Sequence, residues 1–156
     1  MTCIPFKGKL YNLTFYMDVF NNEILSYQLS DKNGDVKTYY DGLKDLLIKI
    51  KEEQLDKQVI LHTDQGAVYS SRMFGDIHKD YNIIHSMSRA GTPTDNPIIE
   101  SINGWIKDEM HIDFNYRAEN NLFEFINKFI YYYNNERPAY ALKYKTPIQY
   151  KIELGF

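Results

Sequence analysis

Two carboxylates stand out by type and spacing: Asp64 and Glu100, separated by the thirty-five residues 65–99. Asp64 closes the apolar run Gln58-Val59-Ile60-Leu61-His62-Thr63-Asp64. Glu100 follows Asp95-Asn96-Pro97 and opens an amphipathic stretch. A carboxylate at a strand end and a second on a nearby helix can share divalent metal ions. Two-metal sites for in-line phosphoryl transfer are built from such groups. The competing reading of Asp64 is a cap for a turn or for the next helix. For Glu100 it is a plain solvated helix face.

The local patterns place both side chains. Side chains alternate along a strand, so Ile60, His62 and Asp64 share one face and Val59, Leu61 and Thr63 the other. Gln65-Gly66 turns the chain there, and ligand sites in α/β sheets favour such strand ends. At about 100° per residue, Glu100, Gly104, Lys107 and His111 fall in one helical stripe. Ile98, Ile99, Ile102, Trp105, Ile106 and Met110 fall on the far side, with Glu109 among them. A carboxylate, a gap at Gly104 and a lysine in line could hold a metal and then a phosphate.

The elements that must carry these groups are readable from periodicity and punctuation. Leu10 to Met17 and Glu23 to Leu29 read as strands joined by the turn Asp18-Val19-Phe20-Asn21-Asn22. A helix is predicted from about Val36 to Glu53, with Leu43, Leu46, Leu47 and Ile50 at helical spacing. Gln58 to Thr63 is a short strand, Ser70 to Lys79 a short helix with Met73, Phe74 and Ile77 inward, and Asn82 to Ser86 another strand. Ser88 to Asn96 is a polar Gly/Pro loop and the candidate mobile segment, with Asp95 as N-cap of the next helix. Pro97 suits a first helical turn, and that helix runs to about Ile112. A second long helix covers roughly Arg117 to Asn135, with Leu122, Phe125, Ile126, Phe129 and Tyr133 on one side. The order is that of a mixed α/β chain in which a hairpin precedes strand–helix alternation.

With 156 residues the chain reads as one domain with a real core. Its formal net charge of −3 argues against a strong stand-alone nucleic-acid binder, because nonspecific DNA affinity comes from Lys and Arg displacing counterions. Local basic patches can still act. The single Cys3 excludes an internal disulfide and suits a reducing, cytoplasmic setting; it is expected to be a small buried residue of the first strand. The start Met1-Thr2-Cys3-Ile4-Pro5 lacks the basic and apolar regions of a signal peptide, and no apolar stretch is long enough to span a membrane.

The stretch from Leu61 to Ser71, His62-Thr63-Asp64-Gln65-Gly66 at its centre, resembles the second-aspartate segment of bacterial insertion-sequence transposases with a retroviral-integrase-like core. Ser86 to Ser101 is similar to the segment carrying that family's catalytic glutamate, here Glu100. Lys107 matches its basic position, and Tyr132-Tyr133-Asn134-Asn135-Glu136-Arg137-Pro138 with Thr146-Pro147 its C-terminal signature. Lys9-Leu10-Tyr11 through Ile24 resembles its first hairpin. The resemblance runs along essentially the whole chain.

It implies an RNase H-like fold, a mixed sheet flanked by helices with the first strand shortened. It implies metal-dependent strand transfer on DNA, both element ends and target, by a homo-oligomer away from membranes. Asp64 and Glu100 would be catalytic and would ligate Mg²⁺ (or Mn²⁺), with Lys107, Arg89 and His62 on the DNA. The family's first aspartate stands just before a Thr that Thr2 resembles. Its place would therefore be immediately ahead of Met1, leaving the two-metal site incomplete and activity impaired. The family's N-terminal helix-turn-helix region has no counterpart here. The other reading is a noncatalytic, shortened transposase that binds DNA or full-length protomers and interferes with transposition. Asp18 reads as a turn residue rather than a substitute ligand. Of Tyr131, Tyr132 and Tyr133, the last is expected in the core and the others at the surface.

Overall fold

The computed structural model describes residues 1–53, 57–89 and 97–155. The first strand, β1 (Thr2–Phe6), alternates buried and exposed side chains. Thr2, Ile4 and Phe6 point inward, which turns Cys3 out to solvent, against the expectation of a buried thiol. Pro5 has no N–H to give to a ladder, which suits a strand paired along one side. Lys7 and Gly8 then take positive φ, 45° and 78°, the geometry of a two-residue hairpin turn that favours glycine.

β2 (Lys9–Asp18) pairs antiparallel with β1, Thr2 opposite Leu13 and Phe6 opposite Lys9. On its other side β2 pairs antiparallel with β3 (Glu23–Ser30), with an irregularity between Tyr16 and Met17. β4 (Val59–Thr63) and β5 (Ile83–Met87) form a parallel pair. The antiparallel and parallel parts of this mixed arrangement are separate ladders, β1-β2-β3 and β4-β5.

Helices cover both faces. On one side α1 (Lys37–Glu52) and α2 (Arg72–His78) bring Leu43, Leu46, Leu47 and Phe74 against Tyr16 and Leu61. On the other, α3 (Pro97–Ile112) and α4 (Leu122–Asn135) bring Ile106, Met110, Ile126 and Phe129 against Ile4, Leu13 and Ile24. Burying one such side chain stabilises the fold by about 1.5–3 kcal/mol. A last helix, α5 (Pro147–Glu153), opens with a complete capping box between Thr146 and Gln149.

Three polar devices lock the layers. Asn134 on α4 donates to the Ile24 carbonyl and accepts from the Ile24 N–H, both at 2.9 Å, so one amide serves as a strand partner for β3. Glu23, almost fully buried, meets Lys49 Nζ at 2.5 Å and Lys151 Nζ at 3.5 Å. Burial pushes its carboxyl up, but the Lys49 hydrogen bond and the two ammonium charges outweigh this and hold it below the usual range. Asn21 Nδ2 donates to the Pro147 carbonyl at 3.2 Å, tying the β2–β3 turn to α5.

Where boundaries differ from the sequence reading, the cause is local. α4 starts at Leu122 rather than near Arg117, because Asn115 takes φ 45° and residues 116–118 form a separate 3-10 turn. Asn121 then caps the helix, accepting from the N–H groups of Phe123 and Glu124. Met73 on α2 and Trp105 on α3 are mainly exposed, not inward. Tyr133 is buried and Tyr131 exposed, as expected. Asp18 accepts from the Phe20 N–H, a turn residue. No described helix is long and apolar enough to cross a membrane.

Candidate active site

The end of β4 shows the alternation read from sequence: Leu61 and Thr63 buried, Ile60, His62 and Asp64 exposed. At Asp64 the chain leaves the strand and folds back on itself. Asp64 Oδ1 accepts from the Gly66 N–H at 2.7 Å, an Asx turn that gives the carboxylate a fixed direction. Gly66 is required for this approach, because a Cβ there would stand 2.7 Å from Asp64 Oδ1. Tyr69 lies just beyond, edge-on to both Tyr39 and Phe74. Burial first, then the nearby Tyr39 and the Asp64 charge, push the Tyr69 hydroxyl well above the usual tyrosine range. It stays neutral beside the carboxylate.

His62 shares the Asp64 face and uses both ring nitrogens, Nδ1 with Ser86 Oγ and Nε2 with Ser88 Oγ, each at 3.1 Å. Ser88 in turn donates its N–H to the Thr63 carbonyl at 2.8 Å, which fastens the segment bearing Arg89 to the end of β4. On the buried side, Thr63 Oγ1 is 2.9 Å from His85 Nε2. Burial, reinforced by His78 and His62, holds His85 below the usual imidazole range.

Glu100 stands in the first turn of α3, exposed, with Ile102, Ile106 and Met110 buried behind it. Open space surrounds Gly104. Lys107 is exposed on the same stripe, about 10 Å along the helix at 1.5 Å per residue. Glu109, the acidic residue on the apolar side, is accounted for by Arg137 Nε at 2.6 Å and the Tyr132 hydroxyl. Asp95 and most of the 88–96 loop lie outside the described residues.

One cleft of about 1260 Å³ gathers the chemistry: Asp64, Glu100, His62, Arg89, Asn103 and Met1 all line it. Lys107 does not. The Met1 amine lies near enough to Asp64 to sense its charge. Asn103 was not singled out in the sequence, yet its Oδ1 is buried without a hydrogen-bond partner. Its place three residues after Glu100, one helical turn on, was the available signal. Tyr69 was likewise missed; only its nearness to Asp64 in sequence marked it.

Asp64 and Glu100 offer carboxylate oxygens, and Asn103 Oδ1 an amide oxygen seeking a partner. An all-oxygen donor set suits a hard cation such as Mg²⁺ or Mn²⁺ over a soft metal. No three His, Cys, Asp or Glu side chains group closely enough among the described residues to hold a metal by themselves.

Comparisons with known proteins fit this geometry. Two family profiles, each described as integrase core domain, match residues 1–93 and 81–147. The chain is 34% identical over 145 residues to the putative transposase InsK for insertion sequence element IS150 of Escherichia coli K12, covering 93% of this chain and 50% of that protein. It is 32% identical to the transposase for insertion sequence element IS904 of Lactococcus lactis, over 94% of this chain and 57% of that one. The chain thus spans about half the length of the curated relatives it matches. Among solved structures it is similar to the HTLV-2 integrase catalytic core domain in complex with magnesium, with TM-score 0.67 and 24% identity over 95% of this chain and 89% of that one. At that identity the likeness concerns the fold, which is RNase H-like.

Proposed function

The chain belongs to the integrase core domain family, and from that premise we propose that it acts on DNA as the core of an insertion-sequence transposase, with Asp64 and Glu100 holding divalent metal ions. The observation that carries this reading is the single cleft lined by Asp64, Glu100 and the unpartnered Asn103 oxygen. The magnesium of the retroviral neighbour and the transposase relatives support it.

Bound Mg²⁺ or Mn²⁺ supplies an activated water or 3′-hydroxyl and a counter-charge for the leaving oxygen of an in-line displacement at phosphorus. The chain's own residues do the positioning. The Gly66 N–H holds one oxygen of Asp64, whose side chain lines the cleft. Glu100 brings the second carboxylate from α3. Arg89 and Lys107 meet the DNA phosphates, Lys107 one helix segment beyond the reacting centre. His62, braced by Ser86 and Ser88, contacts the nucleic acid beside Asp64. The working form is a homo-oligomer.

With two carboxylates and no third in reach among the described residues, metal binding by this chain alone is weak and strand transfer impaired. The same observation favours a second reading, a noncatalytic chain that binds DNA or longer transposase protomers and blocks their assembly. Mn²⁺ titration and nicking of supercoiled DNA separate the two. The chain should bind Mn²⁺ weakly, and Asp64→Asn and Glu100→Gln should each abolish that binding. An aspartate placed directly ahead of Met1 should strengthen binding and bring nicking. Unchanged Mn²⁺ binding in both substituted chains would overturn the metal site. Salt-dependent DNA binding without nicking in every version would select the second reading.

A further inference from the structure

We propose that Tyr140 and Tyr144, with Lys143 beside them, form a stacking site for the unpaired bases of single-stranded DNA. All three lie in the connection from α4 to α5. They fall inside the segment from Arg137-Pro138 to Thr146-Pro147, which the cleft chemistry leaves without a role. Neither ring lines the cleft of Asp64 and Glu100.

Tyr140 is 82% and Tyr144 71% exposed. Their rings still meet, with centroids 5.5 Å apart and planes at 85°. An edge-to-face contact of this kind occupies one face of one ring, so flat aromatic surface stays open to solvent. The loop does not depend on either ring for its packing, because Leu142 between them is buried and anchors it. Its backbone is fixed all the same. The Tyr144 N–H donates to the Ala139 carbonyl at 2.9 Å, the Lys143 N–H to the Tyr140 carbonyl at 3.1 Å, and the Ala139 N–H to the Lys145 carbonyl at 3.0 Å. Within this network Lys143 and Tyr144 take φ 57° and 61°, the left-handed region, where a bulky side chain is an outlier. Glycine would sit there without strain; this chain places an ammonium and an aromatic ring there instead. Backbone held this way gathers where ligands are gripped, and a fixed tyrosine loses little freedom on binding.

Charge identifies the occupant. From Pro138 to Ile152 the chain carries Lys143, Lys145 and Lys151 and no Asp or Glu, against a net charge of −3 overall. Lys145 pairs with Glu153, and Lys151 with Glu23 and Glu53. Lys143 is exposed and has no ion pair among the described residues. A free ammonium beside open aromatic faces suits a phosphate together with its base. Duplex DNA keeps its base faces inside the stack, so the ligand is a single strand. Every base has such a face, so the site tolerates any sequence. The inference goes beyond the cleft chemistry, and absence of metal binding leaves it intact.

The probe is a labelled oligothymidine of about twelve nucleotides, added to the full chain in EDTA and followed by fluorescence anisotropy. EDTA removes any metal contribution from the cleft. Tyr140→Leu and Tyr144→Leu should each weaken binding by about fivefold to a hundredfold, whereas Tyr140→Phe and Tyr144→Phe, which keep the ring, should stay within about twofold of the parent. All four side chains stand in solvent, so the variants keep the fold. An abasic strand of equal length retains the phosphates and should bind the parent and the leucine chains alike. Lys143→Gln should reduce the slope of log affinity against log salt by about 0.7. Unchanged oligothymidine affinity in both leucine chains would overturn the proposal, and so would an equal loss toward the abasic strand. Absence of oligothymidine binding by the parent would do the same. Self-association of the parent that both leucine substitutions abolish would assign the rings to a second copy and also overturn it. Asp64 and Glu100 are untouched in these variants, so the Mn²⁺ titration tests the metal site separately.

Discussion

Gly66→Ala separates the function of the Asp64 turn from its contribution to stability. The new methyl would stand 2.7 Å from Asp64 Oδ1, against about 3.4 Å for an ordinary contact, so the carboxylate must retreat by about 0.7 Å. The atom that yields is the tip of an exposed side chain, not backbone, and Gly66 lies outside the positive-φ region. Stability should therefore change by no more than about 1 kcal/mol in either direction, with reduced unfolded-chain freedom offsetting the contact. Ligation is far less forgiving. Mg²⁺ holds its oxygens at about 2.0–2.1 Å in near-ideal geometry, and small misplacements of a reacting group cost up to about a hundredfold. The expected result is at least a tenfold weaker Mn²⁺ response with an unchanged melting curve. Paramagnetic broadening of the NMR signals of residues 63–67 reads the first, and thermal denaturation the second. Full Mn²⁺ broadening in the alanine chain, at parental stability, would sink the idea that this turn orients a metal ligand.

Other consequences are open to direct measurement. Asn134→Ala strands both the N–H and the carbonyl of Ile24; at about 1–3 kcal/mol for each buried unsatisfied group, urea unfolding should show a loss of about 2–6 kcal/mol. Acid should weaken the fold in two stages. His85 is held below its ordinary value, so its contribution is present above about pH 6.5 and is lost as pH falls through its lower folded value. Glu23 is likewise depressed, and its contribution goes below about pH 4.5; Glu23→Gln should remove the second stage of a stability–pH profile and leave the first. Lys107→Ala should lower DNA affinity alike for all sequences and reduce the slope of log affinity against log salt by about one. An unchanged slope would place Lys107 away from the phosphates.

How much of this was legible in the chain follows from what each signal encodes. α3 was readable in place and extent because Pro97 marks its first turn and Ile102, Ile106 and Met110 keep strict helical spacing. The β4 alternation placed Asp64 at an exposed strand end for the same reason, that period and burial coincide. Trp105 and Met73 broke the rule, since size and apolarity alone do not say which side of a helix meets a neighbour. Cys3 went outward because Thr2, Ile4 and Phe6 own the inner face of β1. Tyr69 and Asn103 carried only their nearness in sequence to Asp64 and Glu100, and the Glu23–Lys49–Lys151 cluster was not legible, because it depends on which elements meet in space. The separation of β1 from β4 into different ladders is likewise a property of packing, not of any local pattern.

The bond from Asn21 to the Pro147 carbonyl joins positions 126 apart in sequence, and the Asn134–Ile24 pair joins positions 110 apart. During synthesis the hairpin leaves the ribosome more than a hundred residues before the groups that satisfy its buried amides. Until then the turn at Asn21 and the backbone of Ile24 must keep their water. Closure over such separations carries a loop entropy that slows folding, so the early strands wait with their edges open while the rest of the chain emerges. The time between those events, more than the stability of the finished fold, sets how long a newborn molecule is exposed to aggregation or to capture by a chaperone.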